Sequence, residues 1–302
     1  MYKILNKQII TPDIKRIDIH APDVAARAQA GQFVMIAPDD HTERLALPIV
    51  DADTKKGSVA LIFQENSPSA LMLGERQIND EIECLIGPLG NPFRVKKFGT
   101  VVCVTTGLGS AAMLSLARSL KKEGNKVLGV MGSRTKRTLL LEPQMRILCH
   151  KIFVATEDGS YIKRGQATDL LKEVLKTENV QAAYVAGSPE MMEAAARLTK
   201  EKNIPTWALL SPVMLDGTGQ CGSCRLSVGG RTLLACEEGP VFDAHQVDFA
   251  DYRIRLSTYR PEFYRKGNKD ESWDKSPSQS SPATKDSGVL TRWFSGLVKK
   301  TP

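Results

Sequence analysis

Asp216-Gly-Thr-Gly-Gln-Cys221-Gly-Ser-Cys224 places three metal-ligating side chains within nine residues, and eleven residues separate Cys224 from Cys236. Thiolates and a carboxylate at such spacing suit a metal centre. Plant-type 2Fe–2S clusters are held by Cys-x4-Cys-x2-Cys and a distant fourth Cys. Here Cys221, Cys224 and Cys236 fill the last three positions. Asp216 stands where the first Cys would be, an oxygen ligand harder than thiolate. Gly217, Gly219 and Gly222 allow the tight turns such a loop needs and let backbone amides approach the sulfurs. Two other readings are open at this point. One is a zinc site built from the three cysteines with Asp216 or His245. The other is unconnected buried thiols. Cys84, Cys103 and Cys149 lie in strand or helix runs and read as core. His20, His41 and His150 are scattered, and His245 reads as structural.

A second group of residues suits a phosphate. Thr105-Thr106-Gly107-Leu108-Gly109-Ser110 stands between an apolar strand and a helix, where glycines admit a pyrophosphate to the helix N-terminus. Ala112 makes the match to G-x-G-x-x-G partial. Gly132-Ser133-Arg134, Glu157-Asp158-Gly159 and Gly187-Ser188-Pro189 end three further strands. Open α/β sheets bind ligands at those carboxyl ends. Arg134 suits a phosphate, and Glu157 or Asp158 suits ribose hydroxyls. Met191 and Met192 read as helix core. No Ser/His/Asp or Cys/His set with nucleophile logic occurs.

These residues require particular elements to position them. Residues 1–98 read as short strands with turns and no long helix: alternation at Ile17–Ile19, then Gln32–Ile36, Val59–Phe63 and Glu81–Leu85. That suggests a small antiparallel barrel. From Thr100 the pattern becomes strand 100–106, helix 110–122, strand 126–131, helix 138–149, strand 151–156, helix 167–177, strand 182–187 and helix 189–202, a parallel sheet of βαβ units. The expected division is a barrel over 1–98, an α/β domain over 99–205, a cysteine-bearing domain over 206–262 and a flexible Ser/Lys/Asp/Pro-rich tail over 263–302.

The chain has 302 residues, 42% hydrophobic and 25% charged, which fits a multidomain globular protein. Six cysteines are too sparse for a disulfide scaffold. No secretory leader and no run of about 18 apolar residues occurs, so the expectation is a cytoplasmic protein with reduced thiols. Net charge is +7. From Arg265 on, eight Lys/Arg against four Asp/Glu account for four of those charges, so the body is nearly balanced and nucleic acid recedes as a partner. Val289, Leu290, Trp293, Phe294, Leu297 and Val298 predict an amphipathic helix over 288–300, suited to a groove on a partner protein or to a membrane surface.

The order barrel, nucleotide sheet, cysteine loop resembles the electron-transfer subunit of dihydroorotate dehydrogenase. It is more similar still to the small subunit of sulfide dehydrogenase and of NADH-dependent ferredoxin:NADP oxidoreductase, the Nfn type, within the ferredoxin-NADP reductase-like superfamily. MLDGTGQCGSCR (214–225) and LACEEGPVFDAHQVDF (234–249) carry the likeness, with echoes in GQFV (31–34), GPLG (87–90), GSRTK (132–136) and EDGSY (157–161). The resemblance covers about residues 1–260. It implies FAD on the barrel, NAD(H) or NADP(H) on the sheet, and a 2Fe–2S cluster on Asp216, Cys221, Cys224 and Cys236. The cluster would wire the flavin to a larger FAD/4Fe–4S oxidoreductase subunit, with ferredoxin as a further partner. Arg44, Leu47, Pro48, Ser67 and Ser69 fall on flavin positions; Gly107, Gly109, Ser110, Arg134, Glu157, Asp158 and Gly187 fall on dinucleotide positions. The family's R-x-P-L-T reads Arg44-Leu45-Ala46-Leu47-Pro48 here. Its Gly then Ser-Thr reads Ser67-Pro68-Ser69-Ala70, and Thr105-Thr106 replaces glycines. An alternative is therefore a flavin-less subunit that keeps the cluster as a wiring or docking module.

Overall fold

The computed structural model describes residues 1–258; the expected tail and its helix over 288–300 lie outside the described residues. The chain begins with seven strands: β1 (Tyr2–Thr11), β2 (Ile14–His20), β3 (Phe33–Ala37), β4 (Leu45–Asp53), β5 (Ser58–Gln64), β6 (Glu81–Ile82) and β7 (Cys84–Leu89). They form one antiparallel sheet in the order β6-β1-β2-β5-β4-β3-β7. The two outermost strands, β6 and β7, are separated in sequence by Glu83 alone, so the sheet curls into a nearly closed barrel. Alternation explains its interior. Ile17 and Ile19 are fully buried, as are Ile4, Val34 and Leu61, and they pack together with Phe63. Two short helices serve it, α1 (Pro22–Arg27) and α2 (Pro68–Glu75). Ser67 caps α2 by accepting the Ala70 N–H at 3.2 Å, and Pro68 fits the first turn.

The second sheet holds β8 (Thr100–Thr106), β9 (Lys126–Ser133), β10 (Lys151–Thr156), β11 (Lys163–Arg164), β12 (Ala182–Ala186) and β13 (Thr206–Leu209), alternating with α3 (Gly109–Lys122), α4 (Glu142–Leu148), α5 (Ala167–Thr177) and α6 (Pro189–Lys200). Its order is β11-β10-β9-β8-β12-β13, all parallel, with an antiparallel edge strand from the cysteine region. β8 spans the predicted residues because Val101–Val104 are buried on both faces between helices. α4 is shorter than the expected 138–149. Residues Lys136–Thr138 form a separate 3-10 turn, and Leu141 at φ +60° interrupts the helical path before Glu142.

The remaining elements are β14 (Arg225–Val228), β15 (Arg231–Leu234), β16 (Val241–Asp243) and α7 (Phe249–Thr258). β16 pairs with β13, so the segment expected as a cysteine-bearing domain supplies two strands to the parallel sheet. One apolar core runs from Val104, Leu128 and Val185 through Cys224 and Cys236 to Phe33 and Met35 of the barrel. A second joins the other sheet face and α3 to Ile14, Val50 and Ile62 of the barrel. Arg118 on α3 ties the two bodies by donating to Val50 O at 3.2 Å and to Asp51 Oδ1 at 2.9 Å.

Candidate electron-transfer site

The cysteine loop is built on a hairpin. Gly229 and Gly230, at φ +58° and +72°, make a two-residue turn between β14 and β15. The register pairs Arg225 with Leu234, and Ala235 N–H donates to Cys224 O at 3.1 Å. Cys224 just before the hairpin and Cys236 just after it are thereby drawn together. Their sulfurs lie 3.3 Å apart, and both side chains are buried. The eleven-residue spacing is the length of this hairpin plus Ala235. Two thiolates on one tetrahedral metal with bonds of about 2.3 Å would stand roughly 3.8 Å apart. Burial, followed by the adjacent Cys224 thiol, pushes the Cys236 thiol up to about 12.

The other two predicted ligands lie on the rim. Asp216 accepts the N–H groups of Thr218 at 2.6 Å and Cys221 at 2.7 Å. The Thr218 amide and then Cys221 hold its carboxyl below the usual range. Cys221 is exposed, its sulfur 3.1 Å from Ser223 Oγ. Among the described residues, no three His, Cys, Asp or Glu side chains converge on one point, so the expected four-ligand set is half assembled: a buried thiol pair and two rim groups. The donor set still suits an iron–sulfur cluster, because two sulfurs and one anionic oxygen stand on one glycine-hinged loop and the hairpin returns a third sulfur, that of Cys236, beside it. His245 is turned away to Thr199 Oγ1 at 3.1 Å, which disassembles the zinc set that includes it. Sequence reasoning passed over Ser223, which is buried and links Cys221 to the Leu215 N–H at 3.2 Å; its place inside Cys-Gly-Ser-Cys was the available signal.

The loop lies on the barrel. A Cβ at Gly217 (φ +76°) would stand 2.6 Å from Met35 Cγ and 3.0 Å from Leu89 Cδ1. Only a glycine lets the backbone beside Asp216 come that close. Two residues before Asp216, Met214 lines a cavity of about 120 Å³ that is walled by Phe33, Ala46 and Pro48 of the barrel, Ala112 and Ser115 of α3, and Leu209–Pro212 from the end of β13 onward. Barrel, nucleotide sheet and cysteine loop therefore meet at one place. Ala46 and Pro48 share the outward face of β4, and this is the face that departs from the family pattern. Leu47 is 9% exposed and its side chain belongs to the barrel interior, because strand alternation turns it away from Ala46 and Pro48. Arg44 is exposed ahead of β4. Ser67 is engaged in capping α2, and Ser69 is buried.

The strand order reverses between β8 and β12, the place where open α/β sheets offer a ligand crevice. A Cβ at Gly109 would stand 2.3 Å from the Ala186 carbonyl, so this glycine welds α3 to β12. Gly187 (φ +151°) is as tight against Thr106 Oγ1, which accepts the Ser188 N–H at 3.2 Å. Gly107 (φ +53°) is open, with nothing within 4 Å of a would-be Cβ. Ser110 is 1% exposed and donates to Thr105 Oγ1 at 3.1 Å, so its side chain is turned inward. Arg134 and Glu157 are exposed at the ends of β9 and β10. Asp158 accepts Ser160 N–H at 2.9 Å and Ser160 O–H at 2.7 Å, and those bonds keep its carboxyl below the usual range. Cys103 and Cys149 are buried as expected, whereas Cys84 is half-buried. Met191 and Met192 are core.

Residues 211–248 match the family described as the iron-sulfur cluster binding domain of dihydroorotate dehydrogenase B. A Thermotoga maritima protein described as a dihydroorotate dehydrogenase B (NAD(+)) electron transfer subunit homolog is 32% identical over 258 residues, covering 85% of this chain and 91% of its own. The chain belongs to this electron-transfer subunit family. A Clostridium beijerinckii chain described as an uncharacterized protein in the adh 3′ region is 36% identical, over 87% of this chain and 92% of its own. A solved structure of the NADH-dependent reduced ferredoxin-NADP oxidoreductase superposes with TM-score 0.83 at 30% identity, over 89% of this chain and 97% of that one. A Neisseria gonorrhoeae ferredoxin NADP+ reductase shares the fold alone, with TM-score 0.56 at 19% identity. As a member of the family, the chain is an oxidoreductase electron-transfer subunit with an iron–sulfur domain on a reductase fold. Among the described residues no helix is long and apolar enough to cross a membrane.

Proposed function

We propose that the chain passes electrons from NAD(P)H through FAD to a 2Fe–2S cluster and on to a larger oxidoreductase subunit, as a diaphorase-type module. The observation that carries this is the single cavity at which β4 of the barrel, α3 of the sheet and Met214 beside the cysteine loop meet. The related solved structures name NADH-dependent electron bifurcation and bound FAD and NADP, which supports the cofactor set. A flavin accepts a hydride and releases electrons singly, which a nicotinamide cannot do for an iron–sulfur acceptor.

The chain's own residues bind and orient. Gly107, with α3 behind it, leaves room for a pyrophosphate against the helix N-terminus, and Gly109 and Gly187 hold that crevice closed. Arg134 supplies a cation at its far side. The cavity, partly open to solvent, is smaller than the roughly 300–1,000 Å³ of a typical ligand pocket. It suits one edge of a flat ring, with the rest of the flavin nucleotide along the open barrel surface toward Arg44 and the N-terminus of α2. Asp216, Cys221, Cys224 and Cys236 are the proposed cluster ligands. The buried Cys224–Cys236 pair anchors, and the rim pair closes over. The corresponding domain division is barrel 1–98, nucleotide domain 99–205 and cluster domain 206–262, the last sharing β13 and β16 with the nucleotide sheet.

A flavin-less wiring subunit is the second reading. It is favoured by Pro48, which brings neither a hydroxyl nor an N–H to the cavity wall. Anaerobic purification of the full chain with quantified flavin, iron and labile sulfide separates the two. About one flavin and two irons per chain is the expected result. A cluster spectrum without flavin establishes the second reading, and zinc without iron overturns both.

A further inference from the structure

Ile162 has a backbone that its own side chain opposes. It sits at φ +51°, the left-handed region, where a β-branched residue is an outlier and Gly or Asn is at ease. The loop around it is fixed on every side. The buried Thr156 hydroxyl receives Tyr161 N–H at 3.0 Å, and Thr156 O accepts the N–H groups of Gly159 and Gly165. Asp158 holds Ser160, and Ser160 Oγ accepts the Lys136 N–H at 2.8 Å. These bonds set the conformation without any help from the isoleucine. Nor does packing call for it. Ile162 is 65% exposed and joins none of the apolar clusters, whereas the preceding Tyr161 packs inward and donates to Glu142 at 3.2 Å. Folding alone would place Gly or Asn here. A strained, exposed, apolar residue retained against the demands of folding points to a ligand.

Its place says which ligand. The loop runs from β10 to edge strand β11, and Ile162 immediately precedes β11, three strands and so roughly 14 Å across the sheet from β8, beside which a pyrophosphate would lie. The loops after β9 and β10 are joined there by Glu157 N–H to Ser133 O at 3.1 Å and Asp158 N–H to Arg134 O at 3.2 Å, with the Arg134 side chain exposed. A dinucleotide whose pyrophosphate rests at Gly107 extends its adenosine half over these loops. Lys136 covers the Tyr161 ring at 4.9 Å, which leaves Ile162 as the exposed apolar surface of the pair.

We propose that Ile162 is a specificity-determining residue whose exposed side chain is the apolar surface against which the purine ring of the dinucleotide lies. This rests on the dinucleotide reading of the crevice. The test uses the full chain and equilibrium calorimetry with ADP-ribose, which carries the purine, and with nicotinamide mononucleotide, which lacks it. Ile162→Asn relieves the backbone and removes the apolar face. The variant melts no lower than the unsubstituted protein, binds ADP-ribose about five- to tenfold more weakly, and binds the mononucleotide unchanged. Ile162→Val keeps most of the face and stays within about twofold. Unchanged ADP-ribose affinity in Ile162→Asn, or an equal loss for both probes, overturns the role of the residue alone. An unsubstituted chain that binds neither probe overturns the dinucleotide reading and this role with it.

Discussion

Six cysteines with one chemistry acquire different fates from their surroundings. Cys103 is fully buried, and burial followed by its neighbour Cys149 raises its pKa well above the usual value. Burial pushes Cys149 up to about 11. Cys221 is exposed beside Ser223. A folded, metal-free, reduced chain treated with iodoacetamide near pH 8 is therefore alkylated at Cys221 while Cys103 and Cys149 stay protected, as peptide mass spectrometry would show. Replacing Cys224 with Ser removes half of the buried sulfur pair. Iron content should fall to near zero and the EPR signal of the reduced protein should vanish; an unchanged signal would refute the ligand assignment. At this scale the sequence was most informative about the cysteine loop, since ligand spacing is a local property. It was silent on the inward turn of the Ser110 and Leu47 side chains, whose directions depend on which face of the helix or strand meets the core.

At the scale of elements, glycines decide how closely helices and strands approach. Gly109→Ala forces a methyl to within 2.3 Å of the Ala186 carbonyl across the β8–β12 crevice. A destabilisation of about 1–3 kcal/mol is expected, seen as a lower urea midpoint, with weaker dinucleotide binding. Gly107→Ala meets no such obstacle, although its positive φ still adds strain. The turn between β1 and β2 shows the electrostatic counterpart. Burial works against the Asp13 carboxylate, but hydrogen bonds from Gln64 at 2.7 Å and Thr11 at 2.8 Å outweigh it, and its pKa is lowered. A lowered folded pKa gives stability that is present above the unfolded value near 3.8 and lost as pH falls through the folded one. Asp13→Asn should therefore unfold at a lower urea concentration at pH 7, and the difference should shrink below about pH 4.

At the scale of the whole molecule, the cysteine region is not an appended module. Cys224 and Cys236 share an apolar core with Phe33 and Met35 of the barrel and with Val104 and Val185 of the sheet. Stripping iron with a chelator under reducing conditions should lower the melting temperature of the whole body in one transition, with barrel and sheet signals moving together. A separate early transition confined to the cysteine region would show that the shared core does not couple the parts. The Arg118 clamp on Asp51 is half exposed, so Arg118→Ala should cost no more than about 1 kcal/mol.

The sequence by itself determined what is local: the cysteine spacing, the glycines at strand ends, and a βαβ pattern whose strands 100–106 and 151–156 and helix 167–177 coincide with β8, β10 and α5. These follow from periodicity and turn chemistry, which a short window contains. Only the tertiary structure decided what depends on contacts distant in sequence. Met35 had to meet Gly217 before the cysteine loop could be placed on the barrel, and β16 had to pair with β13 before the cluster region could be read as part of the nucleotide sheet. The thiol pair illustrates both. Its spacing is written in the chain, but its burial and 3.3 Å approach come from a hairpin packed on a core that three separate stretches build together.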